Sequence, residues 1–247
     1  MDLNNTTKTV LVTGGSRGIG AAISLELGTQ KFNVIVNYNT KVDEANAIVD
    51  QIKKQGGNAI AIQANIAIPE ESERLFREIE TAYGQVDILV NNAGITRDKS
   101  FRKMQKTEWD EVINTNLSSA YNTSQLAIHK MIEQKYGRII NISSVIGQSG
   151  GFGQTNYAAA KAGLIGFSKS LALETAKYGI TVNCICPGFI KTEMVAAMPT
   201  EVLASIVAKI PAASLGSPSD IAKGVAFLID APYITGQCLN INGGLYM

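Results

Sequence analysis

Tyr157 and Lys161 stand four residues apart in the segment "NYAAAKAGLIG", where nearly every other residue is small or apolar. On a helix that spacing puts both side chains on one face. A free phenol ionises at about 10, too high for efficient proton exchange at neutral pH, and an ammonium one helical turn away stabilises the phenolate. The pair can therefore act as a proton donor with an attached cation. The same residues also suit an inert helix whose tyrosine packs and whose lysine stretches to water, so the neighbouring motifs have to decide. The usual acid–base side chain is scarce: His129 is the single histidine, sits in a helical stretch without an evident partner, and reads as structural or surface. Cys184, Cys186 and Cys238 are an odd set with no metal-ligand spacing. The first two fall in the strand-like run "ITVNCIC", and the set reads as inert core thiols.

A second chemical feature is "TGGSRGIG" at 13–20, which carries Gly14, Ser16, Arg17, Gly18, Ile19 and Gly20 between an apolar run and a helical one. Glycines allow a tight turn and close backbone approach to a pyrophosphate, while a helix start offers free N–H groups and a positive dipole end. The G-x-x-x-G-x-G spacing differs from the commoner dinucleotide fingerprint, and a plain glycine-rich turn competes with it. The second strand, "FNVIVNYN", ends at Asn37, Tyr38 and Asn39 without an acid to hold both ribose hydroxyls or repel a 2′-phosphate. Arg17 and Lys41 offer positive charge there instead, which favours NADPH over NADH; a solvated loop charge is the alternative for Arg17. Asn92, Ala93 and Gly94 in "NNAG" end the fourth strand and let backbone pack on a cofactor, although the same residues also make a turn.

Such groups need a scaffold that gathers strand ends. The runs "TVLVT", "NVIVN", "AIAIQ", "VDILVN", "GRIINIS" and "ITVNCI", with a further one at "QCLNI", alternate with helical segments. This predicts an α/β fold: a single doubly wound Rossmann-type domain whose parallel sheet of about seven strands has helices on both faces. Long helices are expected over about 107–134 and 155–177. No linker or repeat divides the chain, so 1–247 reads as one domain. Residues 188–216 read as a short helical hairpin beyond the carboxyl edge of the sheet, a candidate substrate lid. Lys+Arg 22 against Asp+Glu 21 leaves a net charge of +1, which offers no global field for nucleic acid or an anionic membrane. "MDLNNTTKTV" lacks the parts of a secretory signal and no apolar run reaches the length of a membrane span, so a soluble cytoplasmic protein is expected.

Taken in order, "TGGSRGIG", "NNAG", Asn116 in "INTNL", Ser144 in "NISS", "YAAAK" and "PG" at 187–188 resemble the short-chain dehydrogenase/reductase family over essentially the whole chain. The resemblance implies that Tyr157 gives a proton to a ketone oxygen, that Ser144 bonds the same carbonyl, and that Lys161 supports the phenol and bonds the nicotinamide ribose. It assigns Asn116 to a water chain leading to Lys161; a helix-distorting asparagine bonded to its own backbone is the alternative. Pro187 and Gly188 would lead Ile190 and Thr192 against the nicotinamide carboxamide, with Asn65 and Ile66 beside the adenine. Asn65 replaces the aspartate of many relatives, and its amide oxygen can still accept a bond from the adenine amino group.

Within the family the chain resembles reductases of 3-oxoacyl thioesters that yield the (3R)-3-hydroxyacyl product. "ITRDKSFRKM", "FGQTNY", "NGGLYM" and Asn65 put acetoacetyl-CoA first as substrate. The alternative is a carrier-protein reductase of fatty acid synthesis, which "YAAAKAGLIGFSKSLA" and Phe189 in "PGFI" fit equally. Phe152 and Gln154 are expected to line the substrate entrance with Phe189; a core phenylalanine and a helix-start polar residue are the competing readings. The family's usual homotetramer would use both long helices and the last strand, where Ala158, Ala162 and Gly166 permit close packing. A non-catalytic dinucleotide-binding protein on the same fold, or a reductase of other ketones, are more distant readings.

Overall fold

Aliphatic and β-branched residues favour a pleated, buried surface, and the seven runs that carry them form strands β1 (Thr9–Val12), β2 (Asn33–Tyr38), β3 (Asn58–Gln63), β4 (Ile88–Asn91), β5 (Gly137–Ile142), β6 (Ile180–Pro187) and β7 (Cys238–Ile241). The computed structural model describes residues 7–196 and 200–247. All seven strands pair in parallel in the order β3-β2-β1-β4-β5-β6-β7. The chain winds outward from β1 to β3 and then returns to β1's other side as β4. That reversal opens a crevice beyond the carboxyl ends of β1 and β4, where an open α/β sheet binds its ligand.

Both faces of the sheet are covered. Helices α1 (Gly18–Thr29) and α2 (Val42–Lys54) pack one face with a later helix, Pro218–Ile229, around Val10, Val12, Val34, Val36, Ile185 and Val225. Helix α3 (Pro69–Tyr83) and two helices described next cover the other, where Leu11, Ile35, Leu89, Ile139 and Val182 meet Leu75, Ile79 and Met131. Odd and even strand positions thus serve separate cores, as a period of two requires. The expected helix over 107–134 is observed as α4 (Lys106–Ile113), a wide π turn (Asn114–Ser118) and α5 (Ser119–Glu133) in unbroken succession. After the short α6 (Ile146–Ser149) comes α7 (Thr155–Thr175), which a 3₁₀ turn at Ala176–Tyr178 extends. His129 is exposed on α5. No helix among the described residues is long and apolar enough to cross a membrane.

The excursion at 188–216 carries α8 (Glu193–Ala196) and α9 (Thr200–Val207), followed by α10 (Pro218–Ile229). Its base is closed: Lys191 N donates to Gly216 O at 2.9 Å and Gly216 N to Phe189 O at 3.0 Å. Residues 197–199 of this expected lid lie outside the described residues.

A chain of polar side chains runs through the apolar interior. Asn91 and Asn141 are register partners on β4 and β5, and Asn91 Nδ2 donates to Asn141 Oδ1 at 2.8 Å. Thr123 Oγ1 of α5 donates to Asn91 Oδ1 at 2.7 Å, and Asn141 Nδ2 to Ser168 Oγ of α7 at 2.7 Å. Buried amides are stable only when bonded, so these contacts tie both long helices to the sheet at one height. Asn141→Leu removes the acceptor of one bond and the donor of another. It should cost about 2 kcal/mol, read as a lower urea midpoint with unchanged m; a midpoint equal to wild type would show that the belt contributes nothing.

Candidate active site

The glycine loop owes its shape to contacts that only glycines permit. Gly14 and Gly18 have φ of +59° and +54°, a region that side chains disfavour. A Cβ on Gly20 would stand 2.1 Å from Gly14 O and 2.5 Å from Asn92 Nδ2. Asn92 holds the turn from the far side, donating from Nδ2 to Thr13 O at 2.9 Å and to Gly14 O at 3.1 Å. Thr13 Oγ1 in turn accepts from the backbone N–H groups of Asn92 and Ala93 at 2.9 and 3.1 Å. The two motifs at the crevice are therefore one bonded unit. Arg17 occupies the N-cap of α1 without a side-chain capping bond, so the first N–H groups of the helix lie open to an anion.

Arg17 itself is largely exposed, 3.9 Å from the equally exposed Glu193; such a pair is weak and leaves the guanidinium available. Lys41 is also largely exposed and lies 3.5 Å from Glu44 in the first turn of α2, a surface pair equally weak. Ser16, Ile19 and Tyr38 are half-buried around this end of the crevice. Asn65 Oδ1 accepts from Ala67 N at 3.2 Å in a local turn, and its backbone N donates to Glu71 Oε2 at 2.7 Å. One lone pair of that amide oxygen already has a partner, and the other remains for a ligand. Ile66 is buried beside it, its carbonyl accepting from Asn122 Nδ2 at 3.1 Å.

The catalytic candidates converge below Gly94. A Cβ there would stand 3.4 Å from Asn116 Oδ1 and 3.5 Å from Lys161 Nζ. Asn116 is buried in the π turn, accepting from Ile95 N at 2.8 Å and donating to Ile95 O at 2.9 Å. The asparagine does sit in a distorted turn, but its bonds reach a separate loop rather than its own helix. Lys161, only 3% exposed, donates to Ile142 O at 2.8 Å. Ser144 follows β5 and accepts from Ile146 N at 3.1 Å.

Tyr157 is half-buried, with Lys161 Nζ 5.6 Å from its ring centroid. Burial pushes its phenol above the ordinary value, hydrogen bonding with Ser144 pulls it down, and the negative charge of Asp98 adds to the rise. Here the structure corrects the sequence expectation: Lys161 does not hold the phenol down in the chain alone. Its ammonium gives one hydrogen bond to a carbonyl, with no carboxylate beside it among the described residues, and burial lowers its own pKa to about 8.

Beyond β6, Pro187 O accepts from Val145 N at 2.9 Å, and a Cβ on Gly188 would meet Asn242 Cα at 2.8 Å. Ile190 is buried, and Thr192 faces the glycine loop, its Cγ2 3.6 Å from where Gly18 would carry a Cβ. At the entrance, Gln154 Nε2 donates to Asp98 Oδ2 at 2.9 Å and Phe189 is half-buried. Phe152 is 97% exposed, which removes its reading as a core residue. Thr13 and Asn156 escaped the sequence reading, and Asn37 was noted there only as a strand end without charge. Asn37 Oδ1 accepts from Gly14 N at 3.3 Å. Asn156 is fully buried, its Oδ1 accepting from Tyr157 N at 2.8 Å and its Nδ2 donating to Arg97 O and Glu108 O at 3.2 Å. The available signal was an amide placed against an otherwise apolar element.

A family model described as short chain dehydrogenase matches residues 8–202. The chain belongs to the short-chain dehydrogenase family. It is an oxidoreductase of that family, whose members use a nicotinamide dinucleotide; the tight glycine cradle and the uncapped start of α1 fit the pyrophosphate of that group. The chain is 48% identical over 243 residues to a Staphylococcus aureus (strain Mu50) protein named 3-oxoacyl-[acyl-carrier-protein] reductase FabG, covering 98% of this chain and 99% of the relative. It is also 48% identical over 242 residues to the Escherichia coli K12 protein of the same name, covering 97% and 98%.

The buried ammonium makes stability depend on pH. Between about pH 8 and the ordinary lysine value of 10.5, the unfolded chain keeps a proton that the folded chain has released, so stability rises with pH across that window. Below it the folded chain bears the whole cost. Lys161→Met should therefore raise stability at pH 7 by about 1–3 kcal/mol, read as a higher Tm, and flatten the rise between about pH 8 and 10.5. Parallel melting curves of variant and wild type would count against a desolvated lysine.

Proposed function

We propose that this enzyme is an NADPH-dependent reductase of 3-oxoacyl chains on acyl carrier protein, forming the (3R)-3-hydroxyacyl thioester. The supporting observation is 48% identity across nearly the full length of the Staphylococcus and Escherichia proteins named for that activity. Acetoacetyl-CoA, which the motifs alone put first, becomes the second reading; residues 95–104, 152–157 and 242–247 are what favour it.

Bound NADPH supplies a hydride to the ketone carbon. The chain's task is to receive the negative charge that grows on oxygen. Ser144 donates a hydrogen bond to that oxygen and Tyr157 delivers the proton. Burial keeps the Tyr157 phenol in its protonated form at neutral pH; its release of the proton then depends on the negative charge growing on the ketone oxygen. Lys161, charged below its pKa of about 8, keeps donors beyond the one on Ile142 for the ribose hydroxyls. Asn116, with both side-chain groups bonded to Ile95, shapes the π turn through which a water chain reaches Lys161. Gly14, Gly18 and Gly20 cradle the pyrophosphate and Arg17 meets the 2′-phosphate. Pro187, Gly188, Ile190 and Thr192 back the nicotinamide, and Asn65, Ile66 and Tyr38 bound the adenosine end. Phe152, Gln154 and Phe189 meet the thioester arm, and the 188–216 excursion closes as a lid. The assembly is a homotetramer through the α4–α5 run, α7 and β7, where Gly166 and Leu173 are exposed.

Steady-state kinetics with acetoacetyl-carrier protein and acetoacetyl-CoA test the substrate. A higher kcat/KM on the carrier protein is expected, and the reverse order would restore the coenzyme A reading. Tyr157→Phe should lower kcat by roughly 10²–10⁴-fold with NADPH affinity kept, since the ring stays and the proton goes; near-normal turnover would end the assignment.

Cofactor choice has a separate test. Wild type should show a higher kcat/KM with NADPH than with NADH, and Arg17→Ala should narrow that ratio because only NADPH offers the guanidinium a phosphate. An unchanged ratio would move the selectivity to another residue.

A further inference from the structure

The first turn of α7 brings Tyr157 to the crevice, and its amides have no partners within the helix. Its N-cap, Gln154, makes no side-chain capping bond. Gly153 O, one helical turn before the Tyr157 N–H, accepts instead from Lys99 N at 2.8 Å. The Tyr157 N–H is met by Asn156 Oδ1 at 2.8 Å. The amide hydrogens of the same side chain go to Arg97 O, in the loop after β4, and to Glu108 O in α4, each at 3.2 Å. Asn156 is wholly buried. One side chain thus joins the start of α7, the 95–99 loop and α4, and it uses both of its donors and one lone pair to do so.

We propose that Asn156 is the positioning residue of the reduction: by bridging α7 to the 95–99 loop and α4, it sets where the Tyr157 phenol stands over the ketone oxygen. The inference rests on the reading of Tyr157 as proton donor. Asn156 touches neither substrate nor cofactor in this role and acts through Tyr157 alone. A donor has to lie within about 2.6–3.2 Å of the atom it protonates, and a displacement of about 1 Å costs on the order of 10²-fold in rate. A side chain that fixes the backbone of the donor's own turn therefore governs the proton step directly.

The surroundings separate this role from general packing. The 95–99 loop is itself anchored, because Asn116 bonds both backbone groups of Ile95, so Asn156 ties the donor to a fixed point. The other links across the same seam, Gln154 to Asp98 at 2.9 Å and Lys99 N to Gly153 O at 2.8 Å, hold the rim of the entrance when Asn156 is lost. The next turn of α7 is held elsewhere: Ser143 Oγ donates to Lys161 O at 2.8 Å, and Gly147 packs against the Lys161 backbone. Loss of Asn156 therefore spares Lys161 and the cofactor site, and it frees the turn that carries Tyr157.

The test compares wild type, Asn156→Ala, Asn156→Asp and Tyr157→Phe in water and in deuterium oxide, with NADPH and whichever acetoacetyl thioester, on carrier protein or coenzyme A, the wild type reduces faster. Asn156→Asp fills the same space and keeps an acceptor for Tyr157 N while losing the amide donors, so it serves where the alanine variant does not fold. Both Asn156 variants should lower kcat and kcat/KM together by about 10²-fold. NADPH affinity should be kept, and the solvent isotope effect on kcat should grow because proton delivery has become slow. Wild-type kcat, a loss confined to KM, an unchanged isotope effect, or failure of both variants to fold would overturn the proposal, the last two by making Asn156 a packing residue. Tyr157→Phe separates the two claims. If it is inactive while the Asn156 variants turn over as wild type, this inference alone falls; if it turns over normally, the donor reading falls and takes the inference with it.

Discussion

A lysine ammonium buried without a carboxylate is the constraint around which this molecule is arranged. Lysine is almost never fully buried unless paired, and among the described residues Lys161 bonds through its ammonium to the Ile142 carbonyl alone. The surroundings that keep it there are costly in sequence freedom. Ser143 bonds the Lys161 carbonyl at 2.8 Å, and Gly147 lies so close to α7 that a Cβ would stand 2.8 Å from the Lys161 carbonyl carbon. Gly94 forms the roof over the ammonium, and Asn116 holds the loop that continues from it. An unpaired charge at the bottom of a crevice is a poor device for stability and a good one for receiving a polar ligand. The polar belt from Thr123 to Ser168 makes the arrangement bearable by fixing both long helices against the sheet.

The fold was legible because its signals were local and repeated. Seven apolar runs gave seven strands, and their parallel order followed from the helical segments between them. The glycine loop, "NNAG" and the Tyr157–Lys161 pair were equally legible, since each fixes its own geometry over a few residues. What stayed hidden were partners distant in sequence. Nothing local says that Asn92 would bond Thr13 and Gly14, or that Asn156 would bridge Arg97 and Glu108. The pairing of Lys41 with Glu44 was likewise not on the page, because Glu44 is assigned a direction only once α2 begins at Val42. The effect of Lys161 on Tyr157 was misjudged for a related reason: helical spacing fixes which face a residue occupies, while burial decides what its charge costs.

In the proposed reading, reaction and substrate fall on different parts of this structure. The proposed proton-handling groups sit at strand ends and in a helix interior, where packing leaves them little choice. Phe152, almost wholly exposed, and Gln154, turned toward Asp98, belong to surface segments that the helices beneath them hold by few side-chain bonds, such as Asn156 to Arg97 O and Arg97 to Glu111. Short motifs there resemble coenzyme A reductases, whereas near-full-length identity runs to proteins named for carrier-protein substrates. Loops of this kind can change their ligand without disturbing the sheet, so the whole chain weighs more than six or ten residues at its rim.

The paired bonds between Phe189, Lys191 and Gly216 give the excursion beyond β6 a neck. Once the neck is tied, the chain entropy of everything between is settled separately from that of the sheet. Lengthening a closed loop costs only with the logarithm of its length, about 0.6 kcal/mol for each doubling. The excursion is tied again near its end, where Ala212 N donates to Gly243 O at 3.0 Å just past β7 and Ile210 is buried, so the part free to drift at little thermodynamic consequence is the mostly exposed α9 between these anchors. A change in the length of α9 therefore asks little of the strands beneath it.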